Sequence, residues 1–384
     1  MNIKHLLPAT LVLAGVCALA ASKETDSTQS ARLTAKAAKP RMEVCFVLDT
    51  TGSMGGLIEG AKQKIWAIAN EMISAKPTPE LRLGLVAYRD RGDEYVTKTF
   101  DLTNDIDAIY GHLQSFKAAG GGDEPESVNE ALQDAVRKLT WSQDRKVLKI
   151  IFLVGDAPPH MDYAGGPKYP QVCQEAMKKD LIINTVQCGS IAATAPFWKE
   201  IAQLSEGSYA AIAQSGNMAA IPTPMDGELA ELNRKLGVTL VPYGGGSVRR
   251  AVASKQLAAE AAPAAVTADR LSFNARSGVA VQGGGELLDG LSSGKVKLES
   301  VEKDKLPADL QKLDSAELKA EIGKKQQERA AVQEQIQKLS KEREEYIAAE
   351  RKRQAALGTG DSFDEKVAAS IRAQAGRKGI EYGK

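Results

Sequence analysis

Val44-Cys45-Phe46-Val47-Leu48-Asp49-Thr50-Thr51-Gly52-Ser53-Met54 is the stretch from which the rest of the chain can be read. Its first five residues are all apolar, as a strand buried on both faces requires, and such strands belong to parallel sheets covered by helices. The apolar run then gives way to an acid and hydroxyls. In open α/β sheets ligands bind just beyond the carboxyl ends of the strands. Asp49, Thr51 and Ser53 alternate along one tight loop at that place, and so aim three oxygens at one point.

Outward from this stretch, strands and helices alternate. Apolar residues recur at helical spacing over 58–73 (Ile58, Ala61, Ile65, Ile68, Met72), and helices also read over 106–116, 127–139, 169–179, 197–204 and 228–236. Residues 81–88, 148–154, 182–187 and 209–212 read as strands, and 95–100 alternates as an edge strand would. This order predicts an α/β fold, with a doubly wound, mainly parallel, Rossmann-like sheet flanked by helices over residues 41–243. The aromatic residues agree: of 19 Phe, Trp and Tyr, 15 lie from Phe46 to Tyr243. Aromatics dominate cores, so one compact domain is expected there and none of similar size after it.

Two more loops follow strands or precede helices in the same region. One is Gly155-Asp156-Ala157-Pro158-Pro159-His160; the other is Gly120-Gly121-Gly122-Asp123-Glu124-Pro125-Glu126. Both offer carboxylates, and neither offers a pair of His or Cys. Carboxylates with hydroxyls suit magnesium, calcium or manganese rather than zinc.

Asp49-x-Thr51-x-Ser53, placed after a buried strand and followed by two acidic loops, resembles the Asp-x-Ser/Thr-x-Ser signature of von Willebrand factor A domains and their metal-ion-dependent adhesion site. The resemblance covers about residues 41–243 and implies a sheet wrapped by helices. It also implies that Thr51 and Ser53 bind metal directly, that Asp49 acts mostly through water, and that Asp156 is the third-loop aspartate. The second loop has no threonine where many members place one. Asp123-Glu124-Pro125-Glu126 instead looks like the Asp-x-Pro-Glu segment of integrin β-subunit I-like domains, which makes Glu126 the expected ligand and Asp123 the fallback. Glu126 could alternatively be an acidic first-turn residue favoured by the helix dipole. A carboxylate in place of threonine adds a negative charge, which strengthens cation binding and lowers the metal's appetite for a partner's carboxylate. The implied cofactor is Mg2+, or Mn2+ or Ca2+, and the implied partner is a protein offering an acidic residue to the metal.

Other chemistries fit less well. Basic and acidic residues number 50 and 49, a balance unlike that of nucleic-acid binders. Ser53 and His160 could be imagined as a hydrolase pair, but no Gly-x-Ser-x-Gly elbow surrounds Ser53. Gly120-Gly121-Gly122 lacks the Lys and Ser/Thr of a phosphate loop. Arg91-Gly92-Asp93 reads as a turn between two strands.

The flanks complete the picture. Residues 1–20, with Lys4, an apolar stretch and Ala18-Leu19-Ala20, read as a secretory signal peptide, followed by a linker over 21–40. Export to a periplasmic, cell-envelope or extracellular location is therefore expected. Ala14, Gly15 and Val16 are a poor match to the residues that precede a lipidated cysteine, so a lipid on Cys17 is the lesser alternative for membrane attachment. Cys45 and Cys188 sit in apolar runs as buried thiols would, and a Cys173–Cys188 bridge stays open. Residues 244–312, with the Ala/Pro-rich stretch 258–268 and two glycine triplets, read as linker and unassigned chain. A long charged helix is expected over 313–356. Its seam of Leu318, Ile322, Lys325, Arg329, Val332, Ile336, Leu339, Arg343 and Tyr346 follows coiled-coil spacing. That seam admits a solvated single helix, a fold back onto the central domain, or self-pairing. A short helix and tail over 361–384 end the chain. On this reading a chain ending near Tyr243 folds alone. The expected function is that of an exported, cation-dependent binding module without catalysis. The alternative is a structural or accessory subunit of an envelope, chelatase or ATPase-type assembly acting through the coiled coil.

Overall fold

A computed structural model describes residues 39–218, 220–356 and 362–383. The signal-peptide, linker and Cys17 readings over 1–38 lie outside the described residues. Six strands form one sheet: β1 (Arg41–Asp49), β2 (Glu80–Tyr88), β3 (Thr97–Thr103), β4 (Leu148–Gly155), β5 (Ile182–Cys188) and β6 (Tyr209–Ile212). Their order is β3-β2-β1-β4-β5-β6. All neighbours are parallel except β3, which runs antiparallel to β2 at the edge. The strand order reverses between β1 and β4, which places the loops after Asp49 and Gly155 side by side.

The apolar run of β1 divides between two cores. Val44, Phe46 and Leu48 enter one with α1 (Gly55–Met72) and α2 (Ile106–Ser115). Cys45 and Val47 enter the other with α3 (Val128–Arg137), α4 (Tyr169–Lys178) and α5 (Thr194–Leu204). Successive strand side chains point to opposite faces, so a strand with helices on both sides must be apolar throughout. Cys45, Cys173 and Cys188 are free and buried. Cys173 and Cys188 belong to opposite cores, so the bridge left open by sequence is not made.

Beyond Tyr243 the structure corrects the linker reading. The chain continues from α6 (Asp226–Val238) into α7 (Gly246–Ala261), α8 (Ala264–Ser277), the short α9 (Leu287–Ser292), the long α10 (Ser315–Ala356) and α11 (Phe363–Ala375). The Ala/Pro-rich stretch is two helices meeting at Pro263, which stands at the N-cap of α8. Alanine is the best helix former, and a proline at a helix start costs nothing, so a composition that reads as linker is here a helical hairpin. The described residues from 39 onward form one compact unit, with α8 packed on α1, and α10 on α6 and α8.

The seam of α10 faces its own chain. Ile336 is buried with Leu229, Leu232 and Leu271, and Leu318 and Ile322 are buried with Leu287, Leu306 and Leu310. Two of the three cationic interruptions find carboxylates nearby. Arg329 donates to both oxygens of Glu286 at 2.8 and 2.9 Å and to Thr239 at 3.0 Å. Arg343 donates to Asp226 at 2.7 Å and to Asp269 at 2.5 Å. Lys325 donates to the Val238 carbonyl at the end of α6. α11 then returns to the sheet: Phe363, Val367, Ile371 and Ala375 complete the core beside Phe46.

Candidate metal centre

The geometry begins with Asp49, fully buried at the end of β1. Its Oδ1 accepts from the Thr51 backbone N–H at 2.9 Å and from the Thr51 hydroxyl at 2.6 Å. The Thr51 and Ser53 hydroxyls are 3.5 Å apart. This turn is pinned by the glycine loop, because Gly52 N–H donates to the Gly120 carbonyl and Ala119 N–H to the Thr50 carbonyl. Arg89, buried after β2, donates to the Thr50 and Lys117 carbonyls and so ties both loops together.

Glu126 arrives from the far end of the glycine loop and is 4% exposed. Its N–H donates to the Pro158 carbonyl and its carbonyl accepts from His160 N–H, which stitches the second loop to the third. Gly121 has φ +87°, and a Cβ there would stand 3.6 Å from Glu126 Oε1 and 3.7 Å from Thr51 Cβ. The glycine thus lies between the first-loop hydroxyl and the second-loop carboxylate. Asp156 follows β4; its Oδ2 accepts from Gln214 Nε2 at 2.7 Å, and its carbonyl accepts from the Thr194 hydroxyl. Gln214 also donates to the Ser53 carbonyl. At Gly155 a Cβ would collide with the Tyr88 hydroxyl and come within 3.0 Å of Asp49 Cβ, so only glycine fits there.

The electrostatics call for a cation. Burial, with Asp156 adding repulsion and the Thr51 hydrogen bonds opposing, raises the Asp49 carboxyl to about 7. Burial, then the charges of Asp49, Asp90, Asp93 and Asp156, raises Glu126 to about 9. Asp49 Oδ2 and Glu126 Oε2 are buried and make no hydrogen bond of good geometry, although the Tyr88 hydroxyl stands beside the Asp49 carboxyl and opposes the rise in its pKa. Buried charges are ordinarily paired or coordinate a metal, and among the described residues no ion pair reaches Asp49, Glu126 or Asp156. Two orphaned oxygens, two hydroxyls and a third carboxylate form a hard-oxygen set that fits a divalent ion of the magnesium, manganese or calcium class. Ser53 is exposed and gives the set an open side.

The structure therefore brings the three loops that carry Asp49, Thr51, Ser53, Glu126 and Asp156 side by side, and turns Asp123 toward His160. The Asp123 side chain is 62% exposed and faces His160. His160 turns its ring toward Asp162, Asp90 and Asp123, not toward Ser53, which removes the hydrolase pairing. Asp93 of the Arg91-Gly92-Asp93 turn folds inward, accepting from Asp90 N–H and Gly121 N–H. Sequence reasoning missed Gln214, the Tyr88 hydroxyl beside Asp49, and the packing role of Gly155. Gly155, the glycine between a buried strand and Asp156, was the one signal available for them.

Residues 43–223 match the family model described as von Willebrand factor A domain. Mouse von Willebrand factor A domain-containing protein 7 is 35% identical over 148 residues, which is 37% of this chain and 15% of that protein. The chain spans no more than 15% of the length of the curated relatives it matches. Among solved structures, the SpRpn10 VWA domain aligns with TM-score 0.35 at 16% identity, covering 50% of this chain and 95% of that one. Proximal thread matrix protein 1 from the mussel byssus, with a zinc-occupied MIDAS motif, aligns with TM-score 0.36 at 15% identity, covering 46% and 42%.

Proposed function

Given that residues 43–223 are a von Willebrand factor A domain, we propose that the protein is an exported, magnesium-dependent protein-binding module without catalytic activity of its own. The metal is held by Thr51 and Ser53, by Glu126 and, through water, by Asp49 and Asp156. The ion neutralises the buried carboxylates and presents its open side, next to exposed Ser53, to an acidic side chain of a partner protein. The observation that carries this reading is the pair of buried, unpartnered oxygens on Asp49 and Glu126, from two different loops, with no cationic side chain paired to either. Glu126 in place of a neutral ligand binds the ion more tightly and weakens its pull on the partner's carboxylate. The reading favours readily reversible contacts over permanent assembly. Export rests on the charged, apolar, small-residue order of residues 1–20.

The rival reading, an accessory subunit acting through a free coiled coil, has less to draw on, because most of the α10 seam, from Leu318 to Arg343, packs on this chain, with Tyr346 alone of the seam exposed. The test is capture of partners from envelope extract by the full chain, in magnesium and in chelator, beside Asp156→Ala. Partners that depend on magnesium and are lost with Asp156→Ala support the proposal; identical partners in all conditions refute it.

A further inference from the structure

Between α1 and α2 of the sheet domain and the later helices α7 and α8 lies a cavity of about 270 Å³. A space of about 150 Å³ already admits benzene, so this one has room for a ring with a side group. Its inner wall holds Trp66 and Arg270, which are 0% and 2% exposed. Exposed Gly111, Gln114, Ser254 and Ala258 form its rim. Trp66 stands about 16 Å along α1 from the end that meets the metal loops, so the cavity is separate from the metal centre.

Two buried donors on that inner wall are unpaired. Arg270 gives Nε and Nη2 to the two oxygens of Asp107, at 2.7 and 2.9 Å. Its Nη1 has no hydrogen-bond partner among the described residues, and neither has Trp66 Nε1. Leaving a buried donor unpaired costs free energy. Both groups can only donate, so whatever completes them must bring an acceptor. Both are also held in place: Asp107 grips the guanidinium, and Tyr110 and Phe273 flank the indole with ring centroids 6.2 and 5.5 Å away. Much of the remaining wall is apolar, from Ala259, Ala262, Val266 and the Tyr110 ring. Water answers the donors but wets that wall; an apolar body with one acceptor oxygen answers both.

The structure assigns this cavity to a small apolar molecule that carries an uncharged carbonyl oxygen. Charge decides against a carboxylate. The Arg270 guanidinium is already matched by Asp107, and Lys255, the other cation on the lining, is matched by Asp105 at 2.5 Å. An anionic head would enter as an unpaired buried charge, whereas a neutral oxygen needs only the two N–H groups. Small-molecule sites are mostly apolar with a few placed polar groups, and they favour seams between parts of a chain. A molecule bound here touches α1 and α2 on one side and α7 and α8 on the other, and so fastens the later helices to the sheet domain.

The full chain, in magnesium, is titrated by calorimetry with acetophenone, with α-methylstyrene, in which a methylene replaces the oxygen, and with benzoate. The tryptophan indole N–H signals are followed by nuclear magnetic resonance, and that of Trp66 is identified by its loss in Trp66→Phe. One acetophenone per chain is expected, shifting the Trp66 signal and leaving those of Trp141 and Trp198 in place. α-Methylstyrene should bind at least about tenfold more weakly, and benzoate more weakly than acetophenone. Trp66→Phe should lower acetophenone affinity by about five- to tenfold and leave α-methylstyrene affinity unchanged. Ala258→Trp, at the exposed rim, should block acetophenone while keeping the magnesium-induced rise in Tm, and it carries the test should Trp66→Phe fail to fold. Absence of acetophenone binding, equal affinity for acetophenone and α-methylstyrene, tighter binding of benzoate, or acetophenone affinity untouched by Ala258→Trp each overturns the assignment.

Discussion

Removing α11 should unfold a domain that ends, by sequence similarity, 140 residues earlier. A chain cut after residue 361 loses Phe363, Val367, Ile371 and Ile380, each 1–2% exposed in the core between α1 and the sheet. Full burial of such side chains is worth about 1.5–3 kcal/mol each, so the four together contribute about 6–12 kcal/mol. That is an upper estimate, since denatured chains already bury some apolar area. A domain's whole stability is only about 5–15 kcal/mol. The cut also leaves Asn184 without the two hydrogen bonds it exchanges with Gln374 at 2.7 and 3.1 Å. The shortened chain should show no cooperative thermal transition by near-ultraviolet circular dichroism. Ile371→Ala gives the graded version: about 2–5 kcal/mol from transfer and cavity terms, read as a Tm lowered by roughly 4–15 °C. A chain ending at 361 that melts cooperatively within about 2 °C of the full chain would refute the argument. It would show that the sheet and its helices fold without α11.

The remaining predictions concern charge. Magnesium or manganese should raise the Tm of the metal-stripped chain, since a ligand bound only by the folded state stabilises it; Asp49→Ala and Asp156→Ala should abolish the rise measured by scanning calorimetry. Glu126→Gln should remove most of that magnesium response and Asp123→Asn little of it, because Glu126 is buried beside Thr51 while Asp123 is exposed. Both raised carboxyls, Asp49 at about 7 and Glu126 at about 9, favour their protonated forms in the folded state. Their stabilisation is complete below the ordinary carboxyl range and is lost as pH climbs through 7 and 9. Metal-stripped protein should therefore melt lower at pH 9 than at pH 5.5, and magnesium should recover more at pH 9; equal melting in chelator at both pH values contradicts this. Arg343→Ala leaves Asp226 and Asp269 buried and should cost about 3–5 kcal/mol in urea unfolding, whereas a solvated or self-pairing helix would lose far less.

The sheet was legible because its strands carry a pattern that little else produces. Val44–Leu48 and the apolar run Ile150–Val154 must serve two cores at once, and helical repeats such as Ile58, Ala61, Ile65, Ile68 and Met72 need only one face. The last third was not legible, for two physical reasons. Ala and Pro around 258–268 have a composition shared by linkers and by helix junctions, and only tertiary packing decides between them. Arg329 and Arg343 interrupt the apolar seam of α10, and sequence supplies no rule for locating Glu286, Asp289, Asp226 and Asp269, whose separation from them ranges from 40 to 117 residues. An arginine in an apolar stripe therefore looked like a defect in a coiled coil, when it is a buried ion pair with this chain's own α6, α8 and α9.

The site divides in the same way. Asp49, Thr51 and Ser53 are local in sequence, and their hydrogen bonds close within two residues, so spacing alone carried them. Glu126 and Asp156 follow from position, the one before a helix and the other after a strand. Gln214 lies 58 residues beyond the carboxylate it serves, in a turn with no motif. Its amide donates to Asp156 Oδ2 and to the Ser53 carbonyl, so it holds the first and third loops in register before any ion arrives. A neutral donor can do this without competing for charge; a lysine in its place would neutralise Asp156 and displace the metal. Gln214→Ala should therefore weaken magnesium binding through lost preorganisation, while Gln214→Lys should stabilise the metal-stripped fold and abolish the magnesium-induced rise in Tm. If Gln214→Lys kept the full rise, Asp156 would not lie in the path of the ion, and the three-loop site would reduce to Thr51, Ser53 and Glu126.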